Sequence, residues 1–218
     1  MCRQPARKIK ASSVKNIFKF PSTKSFSRPC HRSFKMVLVE SKLEKDYCFH
    51  LEADPSVLRY FPQPKTFVVS SELLESRDYT PDFEVHFLSG RKAYVEVKKD
   101  FSSLDDAYLH KLEIAAIEME QARYDFLRVD ESLIRIQPLL DNLRKLQRYR
   151  DRLTNNSGAL MMLRSAVPNP RTLNDLIKNP LGIRLETIYK MVASGHIAAD
   201  LSGASLSLET EVHYAKPF

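Results

Sequence analysis

Asp82, Glu84, Glu96 and Lys98 all stand on even positions of two short alternating runs within YTPDFEVHFLSGRKAYVEVK, residues 79–98. Successive side chains of a strand point to opposite faces, so Asp82, Glu84 and His86 share one face and Phe83, Val85 and Phe87 the other. The second run repeats the pattern, with Tyr94, Glu96 and Lys98 set against Ala93, Val95 and Val97. A three-residue connection centred on Gly90 predicts a hairpin that pairs Asp82 with Lys98 and Glu84 with Glu96, so both polar sets lie on one face. Carboxylates at that density are hard oxygen ligands of the kind Mg²⁺ or Mn²⁺ takes, and such ions keep waters for a phosphate. A lysine beside them can orient a water or stabilise charge that develops on a phosphorus centre. No thiolate or imidazole set accompanies the acids, so zinc is not expected. The competing reading is a solvated hairpin face, because a bare D…ExK spacing arises often by chance. Two neighbours weigh against it. Pro81 fixes the chain entering the first strand, and Glu40 and Glu44, one helical turn apart, could bring a further carboxylate to the same cleft.

The elements that must position these residues are legible as periodicities. Val39, Leu43, Tyr47 and Leu51 recur every four residues and predict a helix over 37–53, stopped by Asp54-Pro55. The run VLRYFPQPKTFVVS predicts one or two short strands interrupted by Pro62 and Pro64. From Ser102 a long helix is expected, with Ser103 as cap, Asp105 and Asp106 in the first turn, and Leu109, Leu112, Ala116 and Met119 on its apolar face. YDFLRVDE reads as a strand and IQPLLDNLRKLQRYRDRL as a helix with a basic tip. Asn155-Asn156-Ser157-Gly158 is the clearest linker signal. Beyond it RTLNDLIKN, RLETIYKMVASG and HIAADLSGASLSLETEV give a short helix, a helix ending at Gly195 and an alternating hairpin, the order of a winged helix. The expected organisation is a basic arm over 1–36, an α/β (α+β) domain over 37–155 and a winged-helix-like domain over 158–218.

Length and composition suit a soluble globular chain: 218 residues, 43% apolar and 28% charged, with no run near the roughly 20 apolar residues of a membrane span. Cys2, Cys30 and Cys48 are odd in number and lack metal-like spacing, which predicts reduced thiols and a cytosolic setting. Ten of the 34 Lys and Arg precede Val37 and no Asp or Glu does, which leaves 24 basic against 27 acidic residues in the rest. The net charge of +7 therefore belongs to an arm. Such an arm suits phosphate contact on DNA through Arg7, Lys8, Lys10, Lys15, Lys19 and Lys24, with Arg144 and Arg148 of the basic helix beside it. Phe18, Phe20, Phe26 and Phe34 could anchor it to the body. An organelle transit peptide and a merely solvated tail are the alternatives; Pro5, Pro21 and Pro29 interrupt the amphipathic helix that the first would need.

Pro81-Asp82, thirteen intervening residues and then Glu96-Val97-Lys98 resemble the signature of the restriction-endonuclease-like nuclease fold. The wider context resembles the TnsA family, the endonuclease subunit of heteromeric cut-and-paste transposases. The stretches that carry this are VESKLEKDYCFHLEADPSVLRYFPQP (39–64), YTPDFEV (79–85), YVEVKK (94–99) and QPLLDNLRKLQRYR (137–150), about half the chain in the family's order. The resemblance implies that Glu44, Asp82 and Glu96 hold two Mg²⁺ or Mn²⁺ ions, with Asp82 bridging, the Val97 carbonyl as a further ligand and Lys98 assisting catalysis. Some members carry an amide where Glu96 stands. Glu44 occupies the acid of the S-x-L-E stretch that begins at Ser41, and Glu40 is a second choice; Gln63 matches a recurrent Q-P that could orient a metal-bound water or the Glu44 helix, with a plain turn role as the alternative.

By the same resemblance the chain would cut the 5′-end strand at transposon ends in the bacterial cytoplasm, at the nucleoid. Its partners would be an integrase-like transposase and an AAA+-type ATPase. A self-sufficient restriction or repair nuclease and a non-cleaving DNA-binding assembly module are the alternatives. The wing sequence holds Asp200, Glu209 and Glu211 with no Lys or Arg, and its Leu201, Leu206 and Leu208 need burial, some of it on the domain's own helices and some on another protein. The C-terminal domain is therefore expected to dock a protein rather than DNA.

Overall fold

A computed structural model describes residues 17–25, 35–69, 78–150 and 156–215. The chain is mixed α/β, with seven helices and a mixed central sheet among these residues. None of the described helices is long and apolar enough to cross a membrane.

The described chain opens with β1 (Phe18–Ser22), antiparallel to β2 (Lys35–Val39). Part of the expected arm is thus a strand of the body, and Phe20 is fully buried in the main core. The buried carboxylate of Glu52 fastens that strand's end, accepting from Ser22 Oγ at 2.6 Å, the Thr23 N–H at 3.1 Å and Tyr60 OH at 3.0 Å. Helix α1 (Lys42–Ala53) is capped by Ser41, whose side chain accepts the Glu44 N–H. Val39 therefore ends β2 and does not begin the helix; its four-residue spacing to Leu43 came from a strand and a helix facing one core. The Asp54-Pro55 stop holds, since proline bars Asp54 from helical backbone and its ψ is 113°.

Strand β3 (Val57–Pro62) follows, and a short pair forms from β4 (Phe67–Val68) and β5 (Asp78–Tyr79). Next come β6 (Phe83–Phe87), β7 (Lys92–Lys98), helix α2 (Asp106–Gln121) and β8 (Asp125–Asp130). The central sheet runs β3-β6-β7-β8, antiparallel except that β8 lies parallel to β7 after the α2 crossover. Its odd-numbered face, with Phe83, Val85, Val95 and Val97, packs on Cys48 and Leu51 of α1 and on the β1–β2 pair. The opposite face sets Tyr94 against Tyr79 and the α2 residues Leu112, Ala115 and Met119. Helix α2 starts three residues beyond the expected Ser103 cap, because Asp105 accepts the Tyr108 N–H.

The hairpin register differs from the expected one by two residues: Glu84 faces Tyr94, and Asp82, one step before the last described pair of Phe83 with Val95, comes opposite Glu96. Gly90 sits at the end of the connection rather than its centre, with φ at +85° and the Phe87 N–H donating to the Arg91 carbonyl. A three-residue loop needs its left-handed residue last, and glycine takes that conformation without strain. A shift of two keeps parity, so the shared polar face survives.

After β8 come α3 (Glu131–Ile134), capped by Asp130, and α4 (Leu139–Gln147). The remaining elements are α5 (Ser157–Ala166), α6 (Leu173–Ile177), α7 (Leu185–Ala193), β9 (Ile197–Ala199) and β10 (Val212–Tyr214). Ser157 and Gly158, expected in a linker, begin α5. β9 and β10 pair antiparallel, and Thr172 bridges to Glu211 just before β10. The expected alternating hairpin is confined to those three-residue strands; residues 200–211 form a loop folded against α4. Asn142 of α4, fully buried, donates to the carbonyls of Leu201 and Ala204 at 2.9 and 2.8 Å and accepts the Leu206 N–H at 2.8 Å. Leu201 and Leu206 pack into the C-terminal core together with Leu146 of α4. Part of the burial these leucines need is therefore supplied by the chain's own helices, α4 among them, while Leu208 stays 44% exposed.

Candidate functional site

Asp82 enters β6 directly after the buried Pro81. Its backbone carbonyl accepts the Gln63 N–H at 2.8 Å, and Gln63 holds a φ of +45°, a left-handed conformation uncommon for a residue other than glycine. The end of β3 and the start of β6 are thereby locked together. The side chain of Asp82 accepts the Val97 N–H at Oδ2, 2.7 Å away. Asp82 is thus tied through the backbone between Glu96 and Lys98.

Glu96 is 1% exposed and carries a dense set of donors. Its Oε1 accepts from Lys98 Nζ at 2.5 Å and from Tyr108 OH at 2.7 Å, and its Oε2 accepts from Tyr79 OH at 2.7 Å. Tyr108 lies in the first turn of α2 and Tyr79 in β5, so two separate elements converge on this carboxylate. Lys98 Nζ also sits 5.3 Å from the Tyr108 ring centre. A carboxylate has about four acceptor positions, and protein donors take three of them here.

Asp82, Glu44 and Lys98 are each displaced from their ordinary values. Burial pushes the Asp82 carboxyl well above the ordinary aspartate range, and the neighbouring Glu96 and Glu44 push it further, against the pull of Lys98 and the Val97 N–H. Burial also raises Glu44, with Glu40 adding to it while the Glu40 N–H, Ser41 and Lys98 oppose. For Lys98 burial works downward, but Asp82 and Glu96 together outweigh it and hold the ammonium above its usual value. Lys98 is thus a firm cation among acids.

Asp82, Glu96 and Lys98 are brought together in space, with Val97 serving Asp82 through its N–H. Glu44 lies close enough to act on Asp82 electrostatically, yet its carboxylate is engaged locally: Oε2 accepts the Glu40 N–H at 3.0 Å, and its own N–H donates to Ser41. Glu40, the second choice, meets that group through its backbone. Glu84 and His86 make a pair of their own, 2.6 Å apart, with Arg59 Nε donating to His86 Nδ1 at 3.0 Å. Among the described residues no group of three or more His, Cys, Asp or Glu side chains stands ready to hold a metal ion. In donor type and charge the set still fits a hard divalent cation, since acids crowded around a buried Asp82 favour a cation between them.

Of the residues expected on DNA, Arg7, Lys8, Lys10 and Lys15 lie outside the described residues. Lys19 is exposed on β1 and Arg148 is exposed after α4. Lys24 is diverted: its Nζ donates to the carbonyls of Leu51 and Asp54 at 3.1 and 2.5 Å, closing the end of α1, and burial brings its pKa down to about 8. Arg144 is paired with Asp46 at 2.7 Å and Asp141 at 3.0 Å.

Tyr79 and Tyr108 are the residues that sequence reasoning missed. A tyrosine beside an apolar periodicity reads as core, and nothing local marks a hydroxyl that will meet a carboxylate 17 or 12 positions away. No family model matches this chain, and no curated protein matches it.

Proposed function

We propose that this chain is a divalent-metal-dependent DNA endonuclease with a restriction-endonuclease-like core and a winged-helix-like C-terminal unit, acting as the nuclease subunit of a heteromeric cut-and-paste transposase. The observation that carries the reading is the Asp82–Glu96–Lys98 cluster: two opposed carboxylates with a lysine one strand repeat on. The mixed sheet with α1 on one face and α2 on the other supports the nuclease core. The order of α5, α6, α7, β9 and β10 supports the winged-helix comparison. The transposase setting, with a companion integrase-like transposase and an AAA+-type ATPase, rests on the resemblance to TnsA sequences.

Asp82, Glu96 and Glu44, with the Val97 carbonyl, would hold the ion; the bound Mg²⁺ or Mn²⁺ would supply an activated water and charge neutralisation for phosphodiester hydrolysis. Lys98 remains protonated beside Asp82 and Glu96, which makes it an electrostatic partner for the phosphate at Nζ and not a proton acceptor. The Val97 N–H fixes the Asp82 carboxylate, and the Gln63 N–H fixes the strand that carries it. Lys19, Arg148 and the N-terminal basic residues would meet the DNA backbone.

A second reading has one observation in its favour. Glu96 is closed onto Lys98 and two tyrosines, as a non-cleaving assembly module would allow. The test is strand cleavage of supercoiled DNA and of transposon-end duplexes with Mg²⁺ or Mn²⁺, alone and with the companion subunits. Metal-dependent nicking that Asp82→Asn abolishes is the expected result. DNA binding without cleavage under every combination would overturn the nuclease reading in favour of the module.

A further inference from the structure

Glu96 is the most completely held carboxylate of the cluster, and the way it is held has a consequence for metal binding. A glutamate side chain has free rotations, and binding an ion normally requires them to be frozen. Here Tyr79 OH fixes Oε2 while Tyr108 OH and Lys98 Nζ fix Oε1, so the plane of the carboxylate is set from three sides before any ion arrives. The two hydroxyls come from elements anchored independently. Tyr79 is 2% exposed in β5, with its ring 6.2 Å from that of Phe126. Tyr108 is placed by the start of α2, where its own N–H is bound to the Asp105 cap at 2.7 Å. The partner shown for each hydroxyl is the Glu96 carboxylate. Both rings would pack as phenylalanine, and a buried phenol is retained where it has a polar partner.

We infer that Tyr79 and Tyr108 are positioning residues for Glu96: their hydroxyls orient its carboxylate towards a divalent cation held with Asp82. The inference rests on the metal-dependent reading above. Groups that hydrogen-bond a metal ligand orient it and hold its charge in place, and losing one typically weakens metal affinity or activity about 10- to 100-fold. Lys98 shares Oε1 with Tyr108, so Tyr108 also keeps that oxygen located if the ammonium leaves it for a phosphate.

The experiment is calorimetric Mn²⁺ titration of the full chain in the absence of DNA, with wild type, Tyr79→Phe, Tyr108→Phe and the double variant. Tyr124→Phe serves as control, because Tyr124 stacks on Tyr94 at 4.6 Å on the same sheet face and makes no contact with Glu96 among those described. Each single variant is expected to bind Mn²⁺ about tenfold more weakly and the double variant more weakly still, with Tyr124→Phe unchanged. Thermal melts in EDTA verify that each variant folds. Should Tyr79→Phe fail to fold, the half-buried Tyr108→Phe carries the test alone. Wild-type Mn²⁺ affinity in folded Tyr→Phe variants would overturn the inference while leaving the nuclease reading intact. A wild-type protein that binds no Mn²⁺ would remove the metal-dependent reading and the inference with it.

Discussion

Replacing Asp82 separates two roles that one carboxylate plays, and the isosteric and truncating substitutions should part company. Asp82→Asn removes the charge but keeps an oxygen able to accept the Val97 N–H that Asp82 now binds at 2.7 Å. Directly opposed side chains on neighbouring strands have Cβ atoms about 5 Å apart. At that separation and an effective dielectric near 20, two unit charges repel by roughly 3 kcal/mol. Lost attraction to Lys98 and a weaker hydrogen bond return part of that, leaving a net gain of about 1–2 kcal/mol without metal. For a chain of this size that raises Tm by about 3–6 °C. Asp82→Ala relieves the same repulsion but leaves the Val97 N–H without its acceptor, at about 1–3 kcal/mol, so it should melt close to wild type and below Asp82→Asn.

The pH dependence has a definite sign. Burial, then Glu96 and Glu44, raise the folded-state value of Asp82, so its contribution to stability is full below the unfolded carboxylate value near 4 and is lost as pH rises through the raised one. The advantage of Asp82→Asn should therefore be present at pH 7.5 and vanish in acid. Melts over a pH series in EDTA decide this. A repeat with Mn²⁺ at about 100 Kd should stabilise wild type by about 2.7 kcal/mol and neither variant. If Asp82→Asn melts below wild type at pH 7.5, or Asp82→Ala melts above Asp82→Asn, the electrostatic account of the cluster is wrong.

Lys98→Ala should keep or gain Mn²⁺ affinity while losing cleavage, because the ammonium competes for Glu96 Oε1 and is not itself a ligand; affinity lost with the lysine would make Lys98 a structural support. Asn142→Ala removes three part-buried hydrogen bonds between α4 and the 200–211 loop and should cost roughly 2–4 kcal/mol, read by thermal melting, with faster amide exchange at Leu206; exchange there unchanged from wild type would show that the loop is held by other contacts. Deleting residues 1–16 removes five Lys or Arg and spares β1, so the log–log salt slope of duplex DNA binding should fall by up to about 4 units if all of them contact phosphate; an unchanged slope would take the arm off the DNA.

What the sequence settled by itself was local. Alternation in 82–98 assigned Phe83, Val85, Phe87, Val95 and Val97 to the face that meets the main core, since that depends only on the period of a strand. The proline stop after α1, the α2 crossover segment and the strand YDFLRVDE were also readable, from proline geometry, helical spacing and strand composition in turn. Gly90 announced a turn, but its place within the turn, and so the partner of each acid, was left open by two residues that preserve parity. Tertiary structure decided the rest. Phe20 and Glu52 made a strand out of part of the basic arm, and Lys24, alike in sequence to its neighbours, was spent on the carbonyls of Leu51 and Asp54. The 200–211 loop found α4 through one buried asparagine, 59–64 positions away. Glu96 received Tyr79 and Tyr108 from elements on either side of it in the chain. Periodicity reports which way a side chain points, because backbone geometry repeats along the chain. Which group waits at the other end is fixed by packing between distant segments, and no local pattern encodes it.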